Sequence, residues 1–232
     1  MNIVDLIICL IISSTMLIGL YNGSVVSAMH TVGSFLSWVV SIFIYPLISK
    51  LILKTFPSLF ETITLYVEGS EKIVNVEDRL APLHTISFEK FQGIMEQAQV
   101  PEPFNRVLLS DFAQNIEGIQ TLGEYFDTTM ALVIVNIFSI LIAFVILKVL
   151  FTIILSITKT IVDMPVLKKF DGAAGAGFGL VRGFFILNIL FAMMPILIML
   201  FPADILNKFL DGSKLADIFN TANIFTGIIR GR

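Results

Sequence analysis

Few side chains in this sequence are placed to do chemistry. Arg182 closes the glycine-rich stretch Asp171-Gly172-Ala173-Ala174-Gly175-Ala176-Gly177-Phe178-Gly179-Leu180-Val181-Arg182-Gly183 and stands at the start of an apolar run from Phe184 to Phe201. A charged Arg at the centre of a bilayer costs about 3 kcal/mol, so it needs the membrane edge, a partner or a water-filled site. Three roles fit: an anchor that snorkels to the boundary, an ion pair with Asp171, or a polar gate between helices. Gly175, Gly179 and Gly183 repeat every four residues, which gives a helix one face of bare backbone for a neighbour to approach. Gly33, Ser37 and Ser41 share the same spacing and could supply that neighbour, although such spacing also arises by composition alone. Asp5 poses the question of Arg182 near the start of the chain, where an interfacial, solvated carboxylate is expected. Asn136 and Asn188 lie in apolar runs and are candidates for interhelical hydrogen bonds of about 1 kcal/mol.

Other chemistries find no support. His30 and His84 are far apart and lack ligand-spaced companions, so no metal site is expected. Cys9 is alone in an apolar run and reads as a small hydrophobe facing lipid or a helix. The sequence has no GxSxG, HExxH or Walker-type loop, and the glycine stretch matches G-x-G-x-x-G only loosely, ahead of an apolar span. No enzyme activity, catalytic residue or cofactor is expected. A net charge of −3 without a basic cluster gives no reason to expect nucleic acid.

The elements that must position these residues are membrane spans. Apolar residues make up 56% of the chain and charged ones 14%, against about 25% charged in a soluble domain. The expected fold is an all-α integral membrane protein, a four-helix transmembrane bundle with an acidic, mostly helical insert. The first hairpin occupies 1–56, with spans at about 3–20 and 25–53 around the turn Tyr21-Asn22-Gly23-Ser24. The first span lacks the basic leader of a signal peptide and is expected to stay uncleaved. Pro46 should bend or end the second. From Pro57 to Asp127 there are twelve Asp/Glu against four Lys/Arg, a net of −8, with apolar residues spaced for several short amphipathic helices. A second hairpin occupies 128–201, with spans at about 128–150 and 182–201; Lys148 should snorkel from the first, and Pro195 should kink the second. Residues 202–232 form an amphipathic tail. The loop holding Lys159, Lys168, Lys169 and, at its edge, Arg182 is assigned to the cytoplasm, which puts the insert 57–127 and both termini outside; Lys50 and Lys54 argue mildly for the reverse.

The run Ile3-Val4-Asp5-Leu6-Ile7-Ile8, the turn Gly19-Leu20-Tyr21-Asn22-Gly23, Phe170-Asp171 and Gly175-x-x-Phe178-Gly179-x-x-Arg182-Gly183 together resemble the colicin V production protein (CvpA) family of bacterial inner-membrane proteins. The likeness covers residues 1–50 and about 128–200. It departs at Asn22 and Gly172, where members of the family usually carry a basic residue and an Arg. The resemblance implies a multi-pass protein of the bacterial cytoplasmic membrane, linked to colicin V production or export and to the cell envelope. Some relatives look like the same unit fused to an external serine protease, a domain this sequence is expected to lack. The leading expectation is a non-enzymatic scaffold or accessory factor whose insert docks an envelope or secretion protein. The alternative is a small-solute channel or transporter that acts as a homo-oligomer, with the glycine stretch and Arg182 as its gate.

Overall fold

The structure, a computed structural model, describes residues 2–112, 118–159, 171–200, 210 and 212–221 of the chain. Pro165, Lys168, Lys169 and Phe170 of the Lys-rich loop, Ile116 of the insert, and Ile205, Leu206 and Phe209 of the tail lie outside the described residues. The described residues are helical: α1 (Ile3–Asn22), α2 (Ser24–Thr55), α3 (Pro57–Val67), α4 (Val76–Leu80), α5 (Phe88–Ala98), α6 (Phe104–Asp111), α7 (Leu122–Lys159), α8 (Asp171–Phe191), α9 (Met194–Leu200) and α10 (Lys214–Thr221). Ile3–Asn22, Ser24–Thr55, Leu122–Leu155 and Asp171–Met199 are long and apolar enough to cross a membrane, which fits a four-helix membrane bundle.

Pro46 does not end α2, which continues to Thr55, and the glycine stretch ahead of the fourth expected span is itself helix from Asp171 onward. A single proline removes only one backbone donor, and glycines packed against another helix keep their own backbone bonds. α8 does stop at Phe191, just ahead of Pro195 in α9.

The chain divides into two compact units whose boundaries fall inside α2 and α7. The first comprises Met1–Tyr45, Ile140–Met194 and Pro202–Phe225. Here α1 exposes Leu6, Leu10 and Leu17 while burying Thr15 and Gly19. That inverted pattern suits an apolar solvent, where close backbone packing rather than hydrophobic burial joins helices. On α2 the packed seam carries hydroxyls: Ser24, Ser27, Thr31, Ser34, Ser37 and Ser41 are all buried. Ser34 and Ser37 donate to the carbonyls of His30 and Gly33, at 2.7 and 2.6 Å, so these donors are satisfied without water. α10 closes this unit, with Ala216 and Phe219 packed among Ile8, Leu187 and Phe191.

The second unit comprises Pro46–Ser139, Pro195–Phe201 and Thr226–Arg232. α3 to α6 gather around the first turns of α7, where Phe91, Phe104, Leu108, Tyr125 and Phe126 are fully buried. Tyr125 satisfies its hydroxyl by donating to the Leu108 carbonyl at 2.7 Å. Ser87 caps α5 by accepting from the Lys90 N–H, Asn75 caps α4, and Pro57 opens α3. Asp78 pairs with Lys90, and the Asp127 carboxylate accepts from the Ser70 N–H at 2.7 Å.

Candidate functional site

The glycine stripe of α8 meets α1. A Cβ on Gly175 would strike the Gly19 carbonyl and lie 2.9 Å from the Gly23 carbonyl carbon; one on Gly179 would strike the Thr15 carbonyl and lie 2.9 Å from Met16 Cα. Gly183 faces the Thr15 hydroxyl. The neighbour suggested by spacing, Gly33/Ser37/Ser41, lies elsewhere: Gly33 packs on Phe151 and Leu155 of α7. α2 instead reaches this pair through hydroxyls, Ser27 donating to the Gly19 carbonyl and Thr31 to the Phe178 carbonyl, each at 3.0 Å.

Each aspartate caps a helix other than its own, and Asp5 also accepts from the Asn2 N–H at the start of α1. Asp171 accepts from the Ser24 N–H at 2.7 Å and from the Ser24 hydroxyl, so its charge sits at the N-terminus of α2. Gly23, at a φ of +77°, turns the chain beside this carboxylate. Asp5 accepts from the Ser213 hydroxyl at 2.6 Å and the Leu215 N–H at 3.3 Å, which places it at the N-terminus of α10. Asp171 is therefore engaged away from Arg182, and no ion pair joins them. Asp5 is half-buried against the tail rather than simply solvated.

Of the two asparagines, Asn136 accepts from Ser49 Oγ at 2.6 Å, a buried bond between α7 and α2. Asn188 donates to the Phe184 carbonyl of its own helix at 3.2 Å.

The chemically distinctive feature is a pair of cations. Lys148 of α7 turns its ammonium onto α2, donating to the Ser34 hydroxyl and, at 3.4 Å, to the His30 carbonyl. Arg182 of α8 is half-buried, one turn after Phe178 and one turn before Phe185, the α8 residues that meet α2 at Thr31, Phe35 and Trp38, beside the Ser34 that holds Lys148. Among the described residues neither cation has a carboxylate partner. Phe185, on the next turn of α8, packs with Phe35 and Trp38 at ring-centroid distances of 5.7 and 6.2 Å. Sequence reading singled out Arg182 but treated Lys148 only as a snorkelling residue. The available signal was that the apolar run resumes beyond Lys148, from Val149 to Ile157.

The family model described as Colicin V production protein matches residues 110–223, which assigns that segment of the chain to the family. The matched segment contains α7, the glycine stripe, Asp171, Lys148 and Arg182. No curated protein and no solved structure matches the chain.

Proposed function

We propose that this colicin V production family protein is a non-enzymatic membrane scaffold for the production or export of a colicin V-type toxin and for envelope maintenance. In this reading it lies in the bacterial cytoplasmic membrane, with the insert and both termini outside. The insert docks a secretion or envelope protein. The observation that carries this is the form of the insert. It folds around its own aromatic core, yet leaves Val74, Val76 and Leu80 at 73%, 60% and 67% exposure. The exposed Glu71, Lys72 and Glu77 neighbour these residues along the chain, in a segment of net charge −8. Exposed apolar side chains in an acidic segment suit a partner with apolar anchors and a basic rim. The reading is tested by replacing those three side chains and measuring toxin release.

The cation pair favours a second reading, an oligomeric channel or transporter for a small solute. In that case Arg182 would act without the glycine stripe, whose face is filled by α1. Solute release from liposomes holding the purified chain, lost in Arg182→Leu, would support it. Equal silence from both folded preparations would remove it.

A further inference from the structure

Lys148 and Arg182 share a depth at which charge is costly. Asp171 and Ser24 are joined at one end of the first unit, beside the turn that ends the first candidate span. From Ser24 to Ser34, and from Asp171 to Arg182, the helices advance roughly 15 and 16 Å. An apolar bilayer core is about 30 Å thick, so these positions fall near its middle. The Lys148 ammonium, held on Ser34 and the His30 carbonyl, lies between that level and the turn. Two cations this deep repel each other unless something of opposite charge joins them.

The chain does not supply that charge among its described residues. Of the described carboxylates in the first unit, Asp171 is committed to Ser24, Asp5 to Ser213 and Leu215, and Asp217 of α10 forms no ion pair with either cation. The donors are in place, however. Ser34 and the His30 carbonyl take two of the ammonium's three N–H groups, leaving one to point away from α2. The guanidinium offers a planar fork of five N–H donors, and none meets an acceptor among the described residues. A fork and an ammonium arriving from different helices can satisfy several oxygens at once, which suits a tetrahedral oxyanion better than a spherical halide.

We propose that Lys148 and Arg182 form an intramembrane binding site for a phosphate-class oxyanion, with Ser34 as the residue that positions Lys148. The oxyanion is either free phosphate or the phosphate of a lipid headgroup drawn in from the boundary. The site stands whether or not the insert docks a partner.

The test uses the full chain in dodecyl maltoside, an uncharged micelle free of phosphate. Thermal unfolding is followed against inorganic phosphate, with chloride at matched ionic strength as the reference. A second titration uses dihexanoyl phosphatidic acid, with dihexanoyl glycerol as its reference. Saturable stabilisation by phosphate identifies a solute site, and stabilisation by the lipid alone identifies a headgroup site; either supports the proposal. Arg182→Gln and Lys148→Gln should each weaken the response about 10- to 100-fold, the range of a lost charged hydrogen bond. Arg182→Lys should recover part of it, and Ser34→Ala should weaken it less. No stabilisation of the wild-type chain by either probe overturns the proposal, even where a variant fails to fold. An undiminished response in a folded Arg182→Gln/Lys148→Gln chain also overturns it.

Discussion

Asp5 and Asp171 show how a carboxylate can persist in an apolar chain without reacting with anything. Each accepts from the first turn of another helix, where the unpaired N–H groups and the helix dipole favour negative charge. The residue types were visible in the sequence. Their partners were not, because Asp5 and Ser213 are separated by almost the whole chain and nothing in local spacing links them. Asn136 was better signposted: an amide in an unbroken apolar run must find a partner, and the structure supplies Ser49. That pair makes a quantitative test. Asn136→Ala should cost about 1 kcal/mol, and its double-mutant cycle with Ser49→Ala should return a coupling of about 0.6 kcal/mol in micelle unfolding. Additive losses would show that the bond contributes nothing.

At the scale of elements, periodicity revealed that α8 has a bare face but not which helix fills it. Small residues permit close approach to any neighbour that also keeps its backbone near the surface. Gly19 on α1 and Gly23 in the turn after it meet that condition, just as Gly33 does on α2. The choice rests on details outside the stripe: the turn at Gly23, the Asp171 cap on Ser24, and the hydroxyls of Ser27 and Thr31 laid over the pair. Backbone atoms that cannot move line this contact. Gly179→Leu should therefore destabilise the α1–α8 pair by about 3 kcal/mol, seen as earlier unfolding in micelles. Gly177→Leu should cost little, because a Cβ there meets nothing within 4 Å. Equal effects at the two positions would contradict the packing.

For the whole molecule, hydropathy alone was enough to find the four long helices, since only a bilayer calls for so many apolar residues in unbroken runs. The short helices α3 to α6 between α2 and α7 were legible as a group from their amphipathic spacing. Their assembly on α7 was not, because the rings that build the core come from both sides of a long sequence gap: Phe91 and Phe104 on one side, Tyr125 and Phe126 on the other. The last helix was missed as a packed element. α10 buries only Ala216 and Phe219 in the apolar cluster, too few for periodicity to stand out. In the proposed function the insert is the working surface and the bundle its support. The most direct measurement is toxin release by cells that make a colicin V-type toxin and carry, as their sole copy, either this chain or Val74→Ser/Val76→Ser/Leu80→Ser, at matched membrane levels. The triple variant alters only exposed side chains and should insert normally while releasing about tenfold less toxin, the loss expected when the apolar anchors of an interface are removed. Release at the wild-type level from the triple variant would contradict the account.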